Sequence, residues 1–308
     1  MTDNSITLKR MIQRTEWCEE FHPHVLLEYM VREKISSEEL LAFVKAYSSR
    51  KEYTLNRFLG KQPFESCFQE RYLNVEQIDG SVDKNVSDYK LKVCFITCYT
   101  DEDQLREMNY WIDRLHIPNG VEVEKRALYS AKSMCAGYNE MMYSSDAKYK
   151  VYLHQDIRII NTFFIDNLLA VFNKCPNAGM VGMVGTKCVP STGVMWDAER
   201  FGSVVECSKG DDKSVAYTVL QDNYHDDNDV KVVMIDGFLM ATSVDLWWRE
   251  DVFDGWDFYD ASCSVEFIKR GYDIIVPRQT MAWCLHDFGE IHMEKYDYYR
   301  ELFVKEYS

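Results

Sequence analysis

Proline and glycine are sparse, at 6 and 14 of 308 residues, which excludes collagen-like and Pro/Gly-rich low-complexity chains. Hydrophobic residues at 46% and charged residues at 28% supply the material of an ordinary buried core. Long apolar runs are missing too. Runs such as 93–96 fall far short of the roughly 20 residues that a membrane-crossing helix needs. Residues 1–10 are polar where a secretory signal would be apolar, so a cytoplasmic location is expected. Positive charge is in deficit: 35 Lys and Arg against 50 Asp and Glu leave a net charge of −15, which repels phosphate backbones and anionic lipid. Nucleic acid is therefore not expected as a partner. Ten cysteines occur without a CxxC pair or zinc-finger spacing, and Cys94, Cys98, Cys135, Cys188 and Cys284 sit in apolar contexts that suit reduced, buried thiols.

A chain of 308 residues accommodates one large core and one smaller unit. Residues 1–75 read as a helical N-terminal unit. Ser36 and Glu39 form a capping box, and Leu40, Leu41, Phe43, Val44 and Tyr47 follow as an apolar stripe. That stripe needs a partner surface, either the rest of the chain or a second copy, and in the second case the helices would make a homo-oligomer. Residues 76–90 are polar and read as a linker.

From residue 91 to 308 strands alternate with helices. Strands are expected at 92–99, 121–127, 149–153 and 179–184, and helices at 102–115, 131–142 and 163–172. This order predicts an α/β, Rossmann-like, mainly parallel sheet with helices on both faces and ligands at the carboxyl ends of its strands. The acidic, Asn-rich stretch 209–229 reads as a long surface excursion. Strand character returns at 230–241 and 272–277, with helices at 261–270 and 293–307.

Three constellations carry chemistry. His154, Gln155 and Asp156 end the apolar strand 149–153, where a carboxylate could hold a hard divalent cation facing phosphate, or could cap the next helix. Asp254, Asp257 and Asp260 stand in an aromatic loop with Trp256, Phe258 and Tyr259. Rings that stack on sugar faces and carboxylates that accept hydroxyl protons suit a sugar acceptor, while helix capping would also account for Asp260. His286, after an apolar run and before Asp287, could complete a cation site with Asp156 or serve a structural role.

Five stretches then carry a resemblance: 133–139 (SerMetCysAlaGlyTyrAsn), 149–157 (TyrLysValTyrLeuHisGlnAspIle), 235–240 (IleAspGlyPheLeuMet), 258–260 (PheTyrAsp) with 266–272, and 283–287 (TrpCysLeuHisAsp). Together, over about 91–290, they resemble the GT-A glycosyltransferases of the large inverting family two, most nearly a bacterial branch with a HisGlnAsp motif. The resemblance implies a metal-assisted, inverting transfer of a sugar from a nucleotide-diphosphate donor, a UDP-sugar for preference, to a hydroxyl of a glycan, lipid-linked or protein acceptor. It assigns Asp156 and His286 to a Mn2+ or Mg2+ ion and Asp260 to catalysis. Thr97, Tyr99, Glu124, Ser133, Asn139, His154 and Gln155 fall on the donor side, and Asp236, Gly237, Trp256 and Tyr259 on the acceptor side. His154 stands where the family has the first Asp of its metal motif, and Glu124 is the nearest acidic residue to the end of the second strand.

Two other functions fit the same elements. A nucleotidyltransferase would share sheet and metal, but should carry a Gly-rich phosphate loop and Lys after the first strand, and 98–103 (CysTyrThrAspGluAsp) has neither. A non-catalytic nucleotide-sugar or carbohydrate-binding protein is the other.

Overall fold

The computed structural model describes residues 91–209, 215–222, 228–280, 282–289 and 293–307. The helical unit expected over 1–75 and the linker over 76–90 lie outside them. Residues 1–77, 206–218 and 287–290 group as one compact unit and the remainder as another. Of the first, the described parts are the far ends of two strands, β7 (Arg200–Lys209) and β13 (Cys284–Gly289), and the first half of β8 (Val215–Asp222).

The second unit carries the main sheet. β1 (Leu91–Tyr99) is rich in β-branched and aromatic residues, and Val93 to Cys98 are all buried, as a central strand covered on both faces must be. β2 (Val121–Tyr129) and β3 (Tyr149–Leu153) run parallel to β1 on either side of it. Beyond β3 come β11 (Leu239–Thr242), β5 (Ala178–Gly182), β12 (Asp273–Val276) and β9 (Val230–Val232). β5 and β12 share the direction of β1, whereas β11 and β9 are antiparallel to their neighbours, so five of the seven strands point one way. The sheet is mainly parallel, as its apolar runs predict.

Helices α1 (Glu102–Ile112), α2 (Met134–Tyr143), α3 (Phe164–Lys174), α4 (Tyr259–Lys269) and α5 (Tyr296–Tyr307) pack on it and on one another. Asp101 caps α1 by accepting the amides of Asp103 and Gln104 at 2.8 and 3.1 Å, which fixes where the chain turns after β1. A second sheet of six strands lies beside the main one, in the order β10 (Met234–Ile235), β6 (Val184–Thr186), β7, β13 and β4 (Ile157–Ile159), with β8 paired to β7.

Three sequence expectations change. The run 179–184 is two strands rather than one, because β6 leaves the main sheet to pair with β10 and β7. At Gly202 (φ 130°) the backbone passes so close to the Met183 carbonyl that a Cβ would collide with it. The stretch 209–229 contains strand β8, paired with β7, since 215–220 alternates Val, Tyr, Val against Ala, Thr, Leu between acidic flanks. Finally, α4 begins at Tyr259 instead of 261. Phe258 sits in the left-handed region at φ 59° and makes no side-chain cap, so Asp260 lies inside the first turn.

Candidate active site

The chain passes from β1 to β2 on one side, then crosses to β3 on the other, so the two carboxyl ends of β1 and β3 diverge around a crevice. A cavity of about 260 Å³ opens there, lined by Cys98, Tyr99 and Thr100 from the end of β1, His154, Gln155 and Asp156 from the end of β3, and Met134 and Trp256. Gln155 closes the seam between the strand ends: its Oε1 accepts the amides of Thr100 and Asp101 at 2.8 and 3.0 Å. Trp256, 48% exposed, offers a ring face at the rim.

His154, Asp156 and His286 each present a ligand-type atom, all within 4.8 Å of one another. His286 arrives by topology, since β13 pairs antiparallel with β4 and sets His286 opposite Ile157, next to Asp156. Asp156 Oδ1 lies 3.6 Å from His286 Nε2 and 3.9 Å from His154 Nδ1, is buried and accepts no hydrogen bond. Burial opposes ionisation of Asp156, but His286, His154 and Arg158 outweigh it and hold the carboxyl below the usual carboxylate range. Burial lowers His286 to about 4 and His154 below its ordinary value, against the pull of Asp156 on both. At neutral pH the cluster is one anion with two neutral imidazoles. An ionised carboxylate oxygen buried without a donor needs a cation, and neutral imidazole plus carboxylate is a donor set that Mn2+ accepts. The residues fit a divalent ion.

The turn of 236–238 ties this cluster to Asp260. Phe238 O accepts the His154 amide at 3.1 Å, and the Phe238 ring lies 5.2 Å from the His286 ring. Asp236 Oδ1 accepts the Phe238 amide at 3.1 Å, and the Gly237 amide donates to Asp260 Oδ2 at 2.8 Å. Asp260 Oδ1 accepts from Ala261 N at 2.8 Å. Burial raises the Asp260 carboxyl to about 6, with Asp257 adding to the rise and the two amides opposing it. The helix N-terminus alone would keep it lower, and desolvation wins.

Other residues singled out in the sequence do not line the cavity. Thr97 is buried, and its hydroxyl faces the Cys98 carbonyl at 3.3 Å. Ser133 caps α2 through Ala136 N at 3.2 Å. Asn139 is clamped to the Trp248 amide and carbonyl, both at 2.9 Å, and to Glu250 at 3.1 Å. Glu124 sits midway along β2 opposite Cys94, accepting from Ser145 Oγ at 2.6 Å and paired with Arg126. The hydrogen-bonding capacity of these groups goes into the scaffold. Tyr99 reaches the cavity, its hydroxyl 3.3 Å from Glu102 and its ring 5.4 Å from Tyr129. Tyr259, read from sequence as facing an acceptor, is 4% exposed and hydrogen-bonds His154.

Sequence reasoning passed over one pair. Arg158, in the middle of β4, and Glu107, on α1, are buried and joined at 3.0 Å, and Arg158 also donates to the Gln155 carbonyl at 3.0 Å. The signal was a lone charge within the apolar IleArgIle strand.

Residues 94–307 match the profile of a family described as "Glycosyltransferase like family". No curated protein sequence matches the chain. Similar solved structures include GalNAc-T7 with UDP, GalNAc and Mn2+, at 7% identity and TM-score 0.43 over 67% of this chain and 45% of that one. S. aureus TarS 1–349 in complex with UDP is 10% identical, TM-score 0.42, over 70% and 64%. The mannosyltransferase PcManGT from Pyrobaculum calidifontis with GDP-Man and Mn2+ is 13% identical, TM-score 0.42, over 75% and 66%. The chain thus spans 45 to 66% of the length of these three. Among the described residues no helix is long and apolar enough to cross a membrane.

Proposed function

The chain belongs to this glycosyltransferase-like family, and from that premise we propose that it moves a sugar from a nucleotide-diphosphate donor to an acceptor hydroxyl with inversion. The observation that carries the reading is the buried, donorless Asp156 Oδ1 between two neutral imidazoles at the strand-end cavity. His154, Asp156 and His286 would hold a Mn2+ or Mg2+ ion, whose charge offsets that of a donor diphosphate. Gln155 holds the β1 and β3 ends together, and Trp256 offers a stacking face for a sugar.

Asp260 acts as the general base. At pH 7 a carboxyl of about 6 is mostly ionised, yet basic enough to take a hydroxyl proton, a better match to the task than an ordinary aspartate. The Gly237 and Ala261 amides fix its two oxygens. An inverting transfer needs one such base and no nucleophilic carboxylate on the opposite sugar face. The aromatic pair Tyr99–Tyr129 at the β1 and β2 ends gives the donor's nucleobase a face to stack on, and a UDP-sugar is the first donor to test.

UDP release from a panel of UDP-sugars, with and without Mn2+, tests the proposal. Turnover should require the ion in the wild type and lose that dependence in Asp156→Ala. Unchanged Mn2+-stimulated turnover in that variant would overturn the assignment.

A further inference from the structure

We propose that Tyr259 is a positioning residue for the cation site: its phenol oxygen accepts the Nε2 proton of His154 and so leaves the Nδ1 lone pair of that ring facing Asp156. The proposal rests on the reading of His154, Asp156 and His286 as cation ligands.

An imidazole binds a metal through one nitrogen, and the hydrogen bond made by the other decides which one and fixes the ring. In this chain the Tyr259 hydroxyl bonds His154 Nε2, and Nδ1 is the nitrogen that faces Asp156 Oδ1, at 3.9 Å. The bond has a rigid base. Tyr259 is almost wholly buried, with its ring 5.9 Å from that of Tyr138 and 6.2 Å from that of Trp248, and those two rings stand 4.9 Å apart.

The backbone opposite is cut to admit the hydroxyl. A Cβ at Gly237 would collide with the Tyr259 oxygen and meet Asp260 Cβ at 2.8 Å, so the glycine gives the phenol its slot. The same turn receives the His154 amide at Phe238 O and donates the Gly237 amide to Asp260. Consecutive residues of the first turn of α4 therefore serve two groups: Tyr259 orients a ligand, and Asp260 stands ready for the acceptor. A ring that only filled the core would need no hydroxyl, and so no glycine opposite an oxygen.

Tyr259→Phe keeps the ring and removes the hydroxyl. Mn2+ binding to the full-length chain, without donor, is followed by the loss of the free-Mn2+ electron paramagnetic resonance signal, alongside metal-free thermal unfolding. We expect Mn2+ affinity to fall roughly 10- to 100-fold, the usual effect of removing a ligand's hydrogen-bond partner, with the metal-free midpoint nearly unchanged. Wild-type affinity in Tyr259→Phe overturns the proposal. A His154→Ala background guards against a merely structural loss: with the imidazole gone, removing the hydroxyl should weaken Mn2+ no further, and a second, independent loss overturns the positioning role. Asp156→Ala separates the two readings. If it binds Mn2+ as the wild type does, the cation site itself fails; if it loses Mn2+ while Tyr259→Phe does not, only the role of Tyr259 fails.

Discussion

Asp260→Asn separates the chemistry of this carboxyl from its cost to the fold. Burial raises the group from 3.8 to about 6, so the folded chain keeps its proton to higher pH than the unfolded chain does. Between about pH 4 and pH 6 the native state binds more protons, and stability falls as pH rises through that window. The penalty is absent below it and complete above it. A rise of about two pKa units, at about 1.36 kcal/mol each, makes the ionised carboxylate cost about 3 kcal/mol at pH 7. Asparagine escapes that cost but has one acceptor oxygen, whereas Asp260 uses both, for the Ala261 and Gly237 amides. The amide left without a partner costs about 1–3 kcal/mol at every pH.

The variant should therefore be less stable than the wild type at pH 4 and level with it or more stable at pH 7, a swing of about 2–3 kcal/mol. At roughly 2–4 °C per kcal/mol, the difference between the two unfolding midpoints should shift by about 5–10 °C across that range. Paired thermal unfolding of the full-length proteins at pH 4, 5, 6 and 7 measures it. Wild-type turnover should decline below about pH 6, as the base takes up its proton, and Asp260→Asn should lose ~10²–10⁴ in kcat with donor affinity nearly intact. A midpoint difference that does not change with pH would refute the reasoning, since the carboxyl would then titrate as in the unfolded chain.

Gly237→Ala should cost about 1–3 kcal/mol in denaturant unfolding and reduce Mn2+ affinity and turnover together, because the added Cβ displaces both the Tyr259 hydroxyl and Asp260. Glu107→Gln breaks a buried ion pair and should cost about 3–5 kcal/mol by the same measurement, while Arg158→Met with Glu107→Met should regain most of it.

The parallel sheet was legible because its strands carry apolar runs at Val93–Ile96 and Val151–Leu153, and its helices show apolar residues at helical spacing. The two-residue strand β10 and the departure of β6 from the sheet were not, because Gly182, Met183 and Val184 continue one apolar pattern while the backbone changes partners. His154, Gln155 and Asp156 were legible as a polar step at the end of an apolar strand. Their meeting with His286 depends on the register of β13 against β4, a long-range pairing that no local period encodes. Ser133, Asn139 and Glu124 show the converse: a polar residue near a strand end looks the same in sequence whether it faces a cavity or, as these do, hydrogen-bonds the scaffold.

The start of α4 shows how far one local conformation reaches. From sequence, the aromatic loop runs to Asp260 and its rings are free to face a sugar. A left-handed Phe258, a conformation that residue type does not announce, begins the helix at Tyr259 instead. Each helical residue turns its side chain about 100° from the last, so Tyr259 and Asp260 are committed to directions set by the docking of α4 against β10, β5 and β12. Tyr259 goes inward among Tyr138 and Trp248 to reach His154, and Asp260 goes to the Gly237 amide. Trp256, before the turn, keeps its exposed face at the cavity. The same short stretch thus divides into a rim residue, a hydrogen-bond partner for a histidine and a candidate base, and the division is made by where the helix begins.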